Sequence, residues 1–378
     1  MSKIRDIRLL GHQFDVPKGG AYGTARGLVS RRNCSLVEVT LEDGAIGYGE
    51  IGGPVRQLAQ QMALVKPFFV GKSAFDFEIV AVQTAQKLYH FGIQGLLTPC
   101  MTGISIASLD ALGKLLKQPV HNLLGGKSVD RVKCYATTAY FSEGGMKDYA
   151  RQLEVAAERF PAVKIKLGAG PKDDLARVEL ARRILGPDAL LMVDANCNYT
   201  VDTALLSMRA IADHDIYWYE EPLPTTDERG YGELRARAPM PIATGEALYT
   251  AHDFKRLLDV RGVDILQPSM IVGGGLGQAK AIATLAQYNN LRISPSVWGG
   301  SVALAAALHY TASLPEWPHT DHAAFPVLIE YDLGASAFRE GFTSLVHPDK
   351  QGEMPVPTGP GLGIEIDLKA IAAYAVDL

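Results

Sequence analysis

The sequence predicts an α/β fold: a modified TIM (β/α) barrel carrying an N-terminal α+β capping domain. Three observations point there. The chain has 378 residues, more than one ordinary compact domain holds. From about residue 130 onward, short apolar runs alternate with amphipathic segments, the rhythm of a parallel sheet with crossover helices. Before that point strands come first and helices follow, which reads as α+β.

In the first part, residues 1–128, Ser35–Leu41 alternates in polarity as a strand does, Glu42-Asp43-Gly44 is a turn signal, and Ala45–Glu50 reads as the returning strand. Residues 57–120 read mainly as helix. Met101–Lys117 has apolar residues at helical spacing, and Gly125-Gly126 closes the region.

In the second part, residues 129–344, the apolar runs are Val132–Thr137, Ala162–Leu167, Leu190–Ala195, Ile216–Glu220, Ile242–Gly245, Val263–Gln267, Leu291–Ser294 and Val327–Ile329. Helical segments such as Leu175–Leu185 and Gly277–Tyr288 lie between them. Eight strand–helix units imply a closed barrel. The gap after the seventh strand carries Pro315, Pro318 and Pro326 and reads as loop. Residues 345–378 are too few for a domain and are expected to pack back on the capping domain.

The net charge of −4 and pI near 6.2 give no reason to expect nucleic acid or an anionic membrane as a partner. Cys34, Cys100, Cys134 and Cys197 form no Cys-x-x-Cys pair, which fits a reducing cytoplasm. The opening segment turns polar at Gly11 and lacks a signal-peptide core. The apolar stretch Val302–Leu308 is far below membrane-spanning length.

A barrel of this kind builds its site where strands end at the C-terminal face. Strand two ends in Lys164-Ile165-Lys166, strand three in Asp194-Ala195-Asn196, strand four in Glu220-Glu221-Pro222 and strand five in Gly245-Glu246. Asp194, Glu220 and Glu246 recur at intervals of 26 residues, about one βα unit, so the same layer of the barrel is sampled each time. Three acids aimed at one spot repel unless a cation joins them. Without Cys or His, the set suits a hard, oxygen-preferring ion such as Mg²⁺. Lys164 and Lys166 share one face of their strand. Two adjacent ammonium groups and a nearby dication are expected to lower a lysine pKa from about 10.4 towards neutrality, where it serves as a base.

These motifs, in this order and spacing, resemble the enolase superfamily, mandelate racemase subgroup. The resemblance extends to the hairpin end Gly47-Tyr48-Gly49-Glu50, to Asp110-Ala111-Leu112-Gly113-Lys114, to His121–Gly126 and to Gly359–Glu365, and so covers essentially the whole chain. It implies Mg²⁺ held by Asp194, Glu220 and Glu246, with Lys166 as the base beside Lys164. It implies capping loops near residues 15–30 and 50–56 that close over a small carboxylate substrate, and a homo-oligomer, often an octamer.

Two positions depart from that pattern. Subgroup members usually place an aspartate at the end of strand six and a histidine at the end of strand seven. Here those slots hold Ser269 and Ser296. A two-base racemisation is therefore disfavoured, and a one-base reaction is expected. The foremost reading is a lyase that dehydrates an acid sugar. A sugar-lactone cycloisomerase or other one-base isomerase or epimerase is the alternative, and a catalytically silent ligand-binding barrel is the third. Candidate substrate contacts are Asn196, Ser269, Ser296, Trp298, Glu330, Tyr22 and Arg26, with Arg31 beside them. Strands six to eight look most like acid-sugar dehydratases and galactarolactone cycloisomerase. His309 reads as packing, and a metal pair on His319 and His322 beside Asp321 is a weak signal. The Gly273–Gly277 run precedes a helix and could cradle an anion, but it lacks the residues of a nucleotide loop.

Overall fold

The computed structural model describes residues 2–92, 94–315 and 325–378. The loop bearing His319, Asp321 and His322 lies outside the described residues.

The capping domain is built on an antiparallel sheet of β1 (Ile4–Asp15), β4 (Arg31–Leu41) and β5 (Ile46–Ile51) in the order β1-β4-β5. The hairpin β4–β5 is the one its alternation predicts. β1, whose polar residues mask its pattern, pairs with β4 from Ile4↔Leu41 to Asp15↔Arg31. Helices α1 (Val55–Phe69), α2 (Phe77–Lys87), α3 (Leu97–Leu116) and α4 (Val120–Leu123) follow. Every residue of α3 from Leu97 to Gly113 is buried, so this helix is sandwiched rather than amphipathic. It lies against β5 at van der Waals range because the strand carries glycine there. A Cβ at Gly47 would fall 2.0 Å from the Ala107 carbonyl and 2.4 Å from Ala111 N. Lys117, at φ 55°, ends the helix in the left-handed region.

Between β1 and β4 the chain forms a small hairpin, β2 (Tyr22–Thr24) and β3 (Gly27–Val29). β2 also pairs with β7 (Phe141–Ser142), just past the first barrel strand. The hairpin is thus joined to the barrel by backbone hydrogen bonds.

The barrel strands are β6 (Arg131–Thr138), β8 (Ala162–Lys166), β9 (Leu190–Asp194), β10 (Ile216–Glu220), β11 (Ile242–Thr244), β12 (Ile265–Leu266), β13 (Arg292–Ile293) and β14 (Leu328–Asp332). Helices α5 (Gly145–Ala157), α6 (Pro171–Leu185), α7 (Val201–Ala210), α8 (Glu228–Arg237), α9 (Thr250–Asp259), α10 (Leu276–Tyr288) and α11 (Ser301–Ala312) cross between them. The order is β13-β12-β11-β10-β9-β8-β6-β14, all parallel. Side-chain hydrogen bonds span the remaining seam between β13 and β14: Ser294 Oγ donates to the Leu328 carbonyl at 2.7 Å, and Val297 N to Glu330 Oε2 at 2.8 Å.

The eighth strand runs on to Asp332 rather than ending at Ile329. Its acids Glu330 and Asp332 are buried because each finds a cation, Lys164 and Arg32 respectively. The C-terminal segment meets the barrel before the cap. β15 (Glu353–Pro355) adds antiparallel to β6. Beyond it, Leu362 N donates to Asp110 Oδ1 at 2.8 Å and Val376 N to the Gly11 carbonyl at 2.9 Å. α12 (Leu368–Ile371) is the last α-helix of the described residues. No helix among the described residues is long and apolar enough to cross a membrane.

One layer of the barrel interior positions the site. Tyr135, Ala162, Met192, Trp218, Ala243, Ile265 and Leu328, one from each of seven strands, pack into a buried apolar cluster. Side chains two residues apart on a strand share a face. Two residues further on stand Thr137, Lys164, Asp194, Glu220, Gly245, Gln267 and Glu330, six of them polar and all seven buried. The pleat that fills the barrel floor therefore also lifts the charged layer to its mouth.

Candidate active site

The structure gathers Lys164, Lys166, Asp194, Glu220 and Glu330 into one contact network with Glu246 at its edge. Lys166 Nζ lies 2.5 Å from Asp194 Oδ2. Lys164 Nζ hydrogen-bonds Glu220 Oε1 and stands 3.2 Å from Glu330 Oε1 and 3.7 Å from Asp194 Oδ2. Strain collects here: Asn196, Cys197 and Glu221, none of them glycine, have φ of 45°, 60° and 43°. The turn at Asn196 directs its N–H to Asp194 Oδ1 at 2.8 Å.

The protein's own carboxylates act on the lysines against the lowering expected from a neighbouring ammonium and a dication. Burial pulls both down, and Lys164 also depresses Lys166. The carboxylates outweigh this: Asp194 foremost holds Lys166 above the usual lysine value, and Glu220 and Glu330 hold Lys164 well above it. The acids divide. Burial, with Asp194 adding to it, pushes Glu246 up. Glu330 goes the other way despite its burial, because Lys164 and Lys166 hold it down at about 2.

Each of the three acids at the strand ends has one oxygen held by uncharged donors. Asn196 N holds Asp194 Oδ1. Trp218 Nε1 at 3.0 Å and Gln267 Nε2 at 2.6 Å hold Glu220 Oε2. Ser296 Oγ holds Glu246 Oε2 at 3.0 Å. The other oxygens of Asp194 and Glu220 face the lysines. Among the described residues, no three acid, His or Cys side chains are gathered tightly enough to hold a metal as they stand. The chemistry of the set nonetheless fits a hard divalent cation, since three carboxylates each present one oxygen while neutral partners leave their charge intact.

The remaining expected contacts separate into two groups. Ser269 and Ser296 stand side by side, joined by a backbone bridge, so the two departures from the subgroup pattern occupy neighbouring positions. Trp298 is exposed at the mouth, and Arg32 covers one face of its indole with the guanidinium carbon 3.7 Å from the ring centre. Tyr22 is buried and donates to the Ala335 carbonyl at 2.9 Å. Arg26, by contrast, is exposed at the hairpin turn with no ion pair among the described residues, and Arg31 pairs with Asp15 at the surface.

Sequence reasoning missed Arg32, Tyr140, Asp332, Trp218 and Gln267. Tyr140 packs 5.7 Å from Lys166 Nζ, measured to the ring centre, and donates to Asp332 Oδ1 at 2.6 Å. The two-residue pleat could have found Trp218 and Gln267, since Gln267 lies in the charged layer and Trp218 shares the face of Glu220 one pleat below it. No local signal marks Arg32. The hairpin tip rests on the loop after Lys166: a Cβ at Gly168, whose φ is 108°, would lie 3.2 Å from Ala25 Cβ. The Gly273–Gly277 loop meets a carboxylate of this same chain, since a Cβ at Gly277 would fall 2.0 Å from Glu78 Oε1. His309 packs against His121, with the two Nδ1 atoms 3.0 Å apart.

Fold and site together define a capped barrel with a lysine pair facing strand-end carboxylates. The comparisons give the family. Residues 15–125 match the mandelate racemase/muconate lactonizing enzyme N-terminal domain, and residues 146–370 match the enolase C-terminal domain-like family. The chain belongs to the mandelate racemase/muconate lactonizing enzyme family of the enolase superfamily. It is 34% identical to a D-galactarolactone cycloisomerase from Agrobacterium fabrum over 98% of both chains. It is 32% identical to an L-rhamnonate dehydratase from Saccharopolyspora erythraea over 88% of this chain and 83% of that one. Among solved structures, the 3,6-anhydro-D-galactonate cycloisomerase from Zobellia galactanivorans superposes with a TM-score of 0.88 at 31% identity, covering 100% of both chains. A racemase from Streptomyces coelicolor A3(2) with bound magnesium gives 0.85 at 25% identity, covering 99% of this chain and 100% of that one. The protein is an enzyme of dehydratase or isomerase type.

Proposed function

We propose that the chain is a Mg²⁺-dependent lyase that takes the α-proton of a small carboxylate with Lys166 and dehydrates an acid sugar. One observation carries this reading: lysines stand on one side of the site, and the slots for an opposing acid and base hold Ser269 and Ser296. Asp194, Glu220 and Glu246 would hold the cation. When bound, it would take over the carboxylate charge that now pins the lysines and would stabilise the enolate oxygens.

The protein groups do the rest. Lys164, fixed by Glu330 at 3.2 Å, is placed to hold the substrate carboxylate. Lys166, once neutral, accepts the α-proton. The β-hydroxyl then leaves, and the same ammonium returns that proton to it as water departs. The resulting enol becomes a 2-keto-3-deoxy acid. The hairpin β2–β3 covers this chemistry from solvent.

A second reading is a sugar-lactone cycloisomerase, favoured by the cycloisomerase relative that matches over 98% of both chains. It needs the same base and yields no keto acid. Acid sugars, sugar lactones and proline-type carboxylates, incubated with Mg²⁺ in D₂O, separate the two. Semicarbazide-reactive product with deuterium uptake supports the dehydratase, and uptake with isomerised substrate supports the cycloisomerase. Absence of exchange across the panel favours a ligand-binding barrel. Lys166→Ala should abolish both signals, and normal turnover in that variant overturns the assignment of the base.

A further inference from the structure

Ser296 stands where the subgroup usually keeps a histidine, and its hydroxyl lies 3.0 Å from both Glu246 Oε2 and Glu330 Oε2. A hydroxyl has one proton to give. Glu330 is already supplied: Thr137 Oγ1 donates to its Oε1 at 2.6 Å, Val297 N to its Oε2 at 2.8 Å, and Lys164 stands against it. Among the described residues, Ser296 is the one hydrogen-bond donor that reaches Glu246. An acceptor without a donor costs more than one that already has three, so the proton belongs on Glu246.

The same arrangement holds at the neighbouring acid. Gln267 Nε2 and Trp218 Nε1 both donate to Glu220 Oε2 and turn Oε1 towards the lysine pair. All three donors are uncharged. They fix one oxygen and the orientation of each carboxylate without cancelling its charge, which is what a ligand to a hard cation requires.

We propose that Ser296 and Gln267 are positioning residues for divalent-cation binding, Ser296 through Glu246 and Gln267 through Glu220. Ser296 is then not a vestige of a lost acid or base, nor in the first instance a substrate contact. This rests on the reading that Asp194, Glu220 and Glu246 hold Mg²⁺.

The test measures metal affinity directly, without substrate. Mn²⁺ is titrated into the full chain and free ion is followed by electron paramagnetic resonance, with Mg²⁺ competition. The variants are Ser296→Ala, Ser296→Thr and Gln267→Met, each checked for native circular dichroism. Ser296→Ala and Gln267→Met should each weaken binding about 10- to 100-fold, and Ser296→Thr, which keeps the hydroxyl, should stay within a few-fold of the parent chain. If the parent chain binds neither ion, the metal reading itself fails. If it binds and Ser296→Ala binds equally well, with or without a raised KM, the positioning role fails. Loss of affinity in Ser296→Thr equal to that in Ser296→Ala also overturns it, since packing and not the hydroxyl would then be at work.

Discussion

Arg32 of the capping domain and Asp332 of the eighth barrel strand, 300 positions apart in the chain, form an ion pair 2.9 Å long with both side chains almost fully buried. The pair joins the two domains beside the site. The same Arg32 Nη1 donates to Tyr22 OH at 2.8 Å, its guanidinium stacks on Trp298, and Asp332 accepts from Tyr140 OH. Tyr22 belongs to the hairpin β2–β3 and Tyr140 flanks Lys166, so one ion pair ties the hairpin to the barrel beside Lys166.

Removing one partner of a buried pair typically costs about 3–5 kcal/mol, and Arg339, whose Nη2 stands 3.8 Å from Asp332 Oδ2, compensates part of this when Arg32 is the one removed. Arg32→Met should therefore raise amide hydrogen exchange across residues 22–29 and 141–142, while β9 and β10 keep their protection. Asp332→Asn should open the same peptides. Unchanged exchange in both variants would show that backbone pairing alone holds the hairpin.

Cation binding should be visible as stability. A ligand at about 100 times its Kd stabilises the native state by about 2.7 kcal/mol. Saturating Mg²⁺ is expected to raise the melting temperature of the parent chain. Asp194→Asn, which keeps the shape of the side chain and removes its charge, should lose most of that rise. An equal rise in that variant would place the ion elsewhere.

The contact of α3 on β5 admits no side chain at Gly47. Alanine there meets backbone atoms, which cannot move aside as a side chain can. Overpacking of this kind typically costs about 1–3 kcal/mol, and Gly47→Ala should sit at the upper end or beyond. Thermal unfolding of the variant checks this, and a melting temperature equal to that of the parent would mean that α3 shifts freely.

The buried histidine pair predicts a pH dependence. Burial, chiefly, holds His309 down at about 4, with His121 adding to the effect. A histidine whose folded pKa lies below its unfolded value near 6.5 binds fewer protons folded than unfolded. Its contribution is complete above about pH 6.5, falls as pH drops towards 4, and levels off below that, a loss of about 3 kcal/mol. Glu246, whose pKa is raised, acts in the opposite sense. The comparison is therefore made between the parent chain and His309→Gln. Between pH 7 and 4.5 the variant's melting temperature should fall less steeply, and equal slopes would remove His309 as a cause.

Much of the site was legible before any coordinates. A barrel strand's pleat repeats every two residues and a βα unit recurs at a near-constant length, so Lys164, Lys166, Asp194, Glu220 and Glu246 could be aligned from numbering alone. The hairpin β4–β5 was legible for the same reason, since its alternation is local. Strand eight was read as ending at Ile329, with Glu330 just past it, because an acid at a strand end looks like the start of a loop until its buried cation is known.

By itself, then, the sequence determined the fold class, the strand ends that gather the lysines and acids, and the serine in place of a strand-seven histidine, all properties of short-range period and residue type. Only the tertiary structure decided that buried Arg32 joins Asp332 beside the lysines, that Ser296 lies between Glu246 and Glu330, and that the barrel seam is sewn by side chains. Each of these depends on a partner tens to hundreds of residues away. A contact across that distance leaves no periodic trace in the chain, and burial, which sets its strength, exists only after folding.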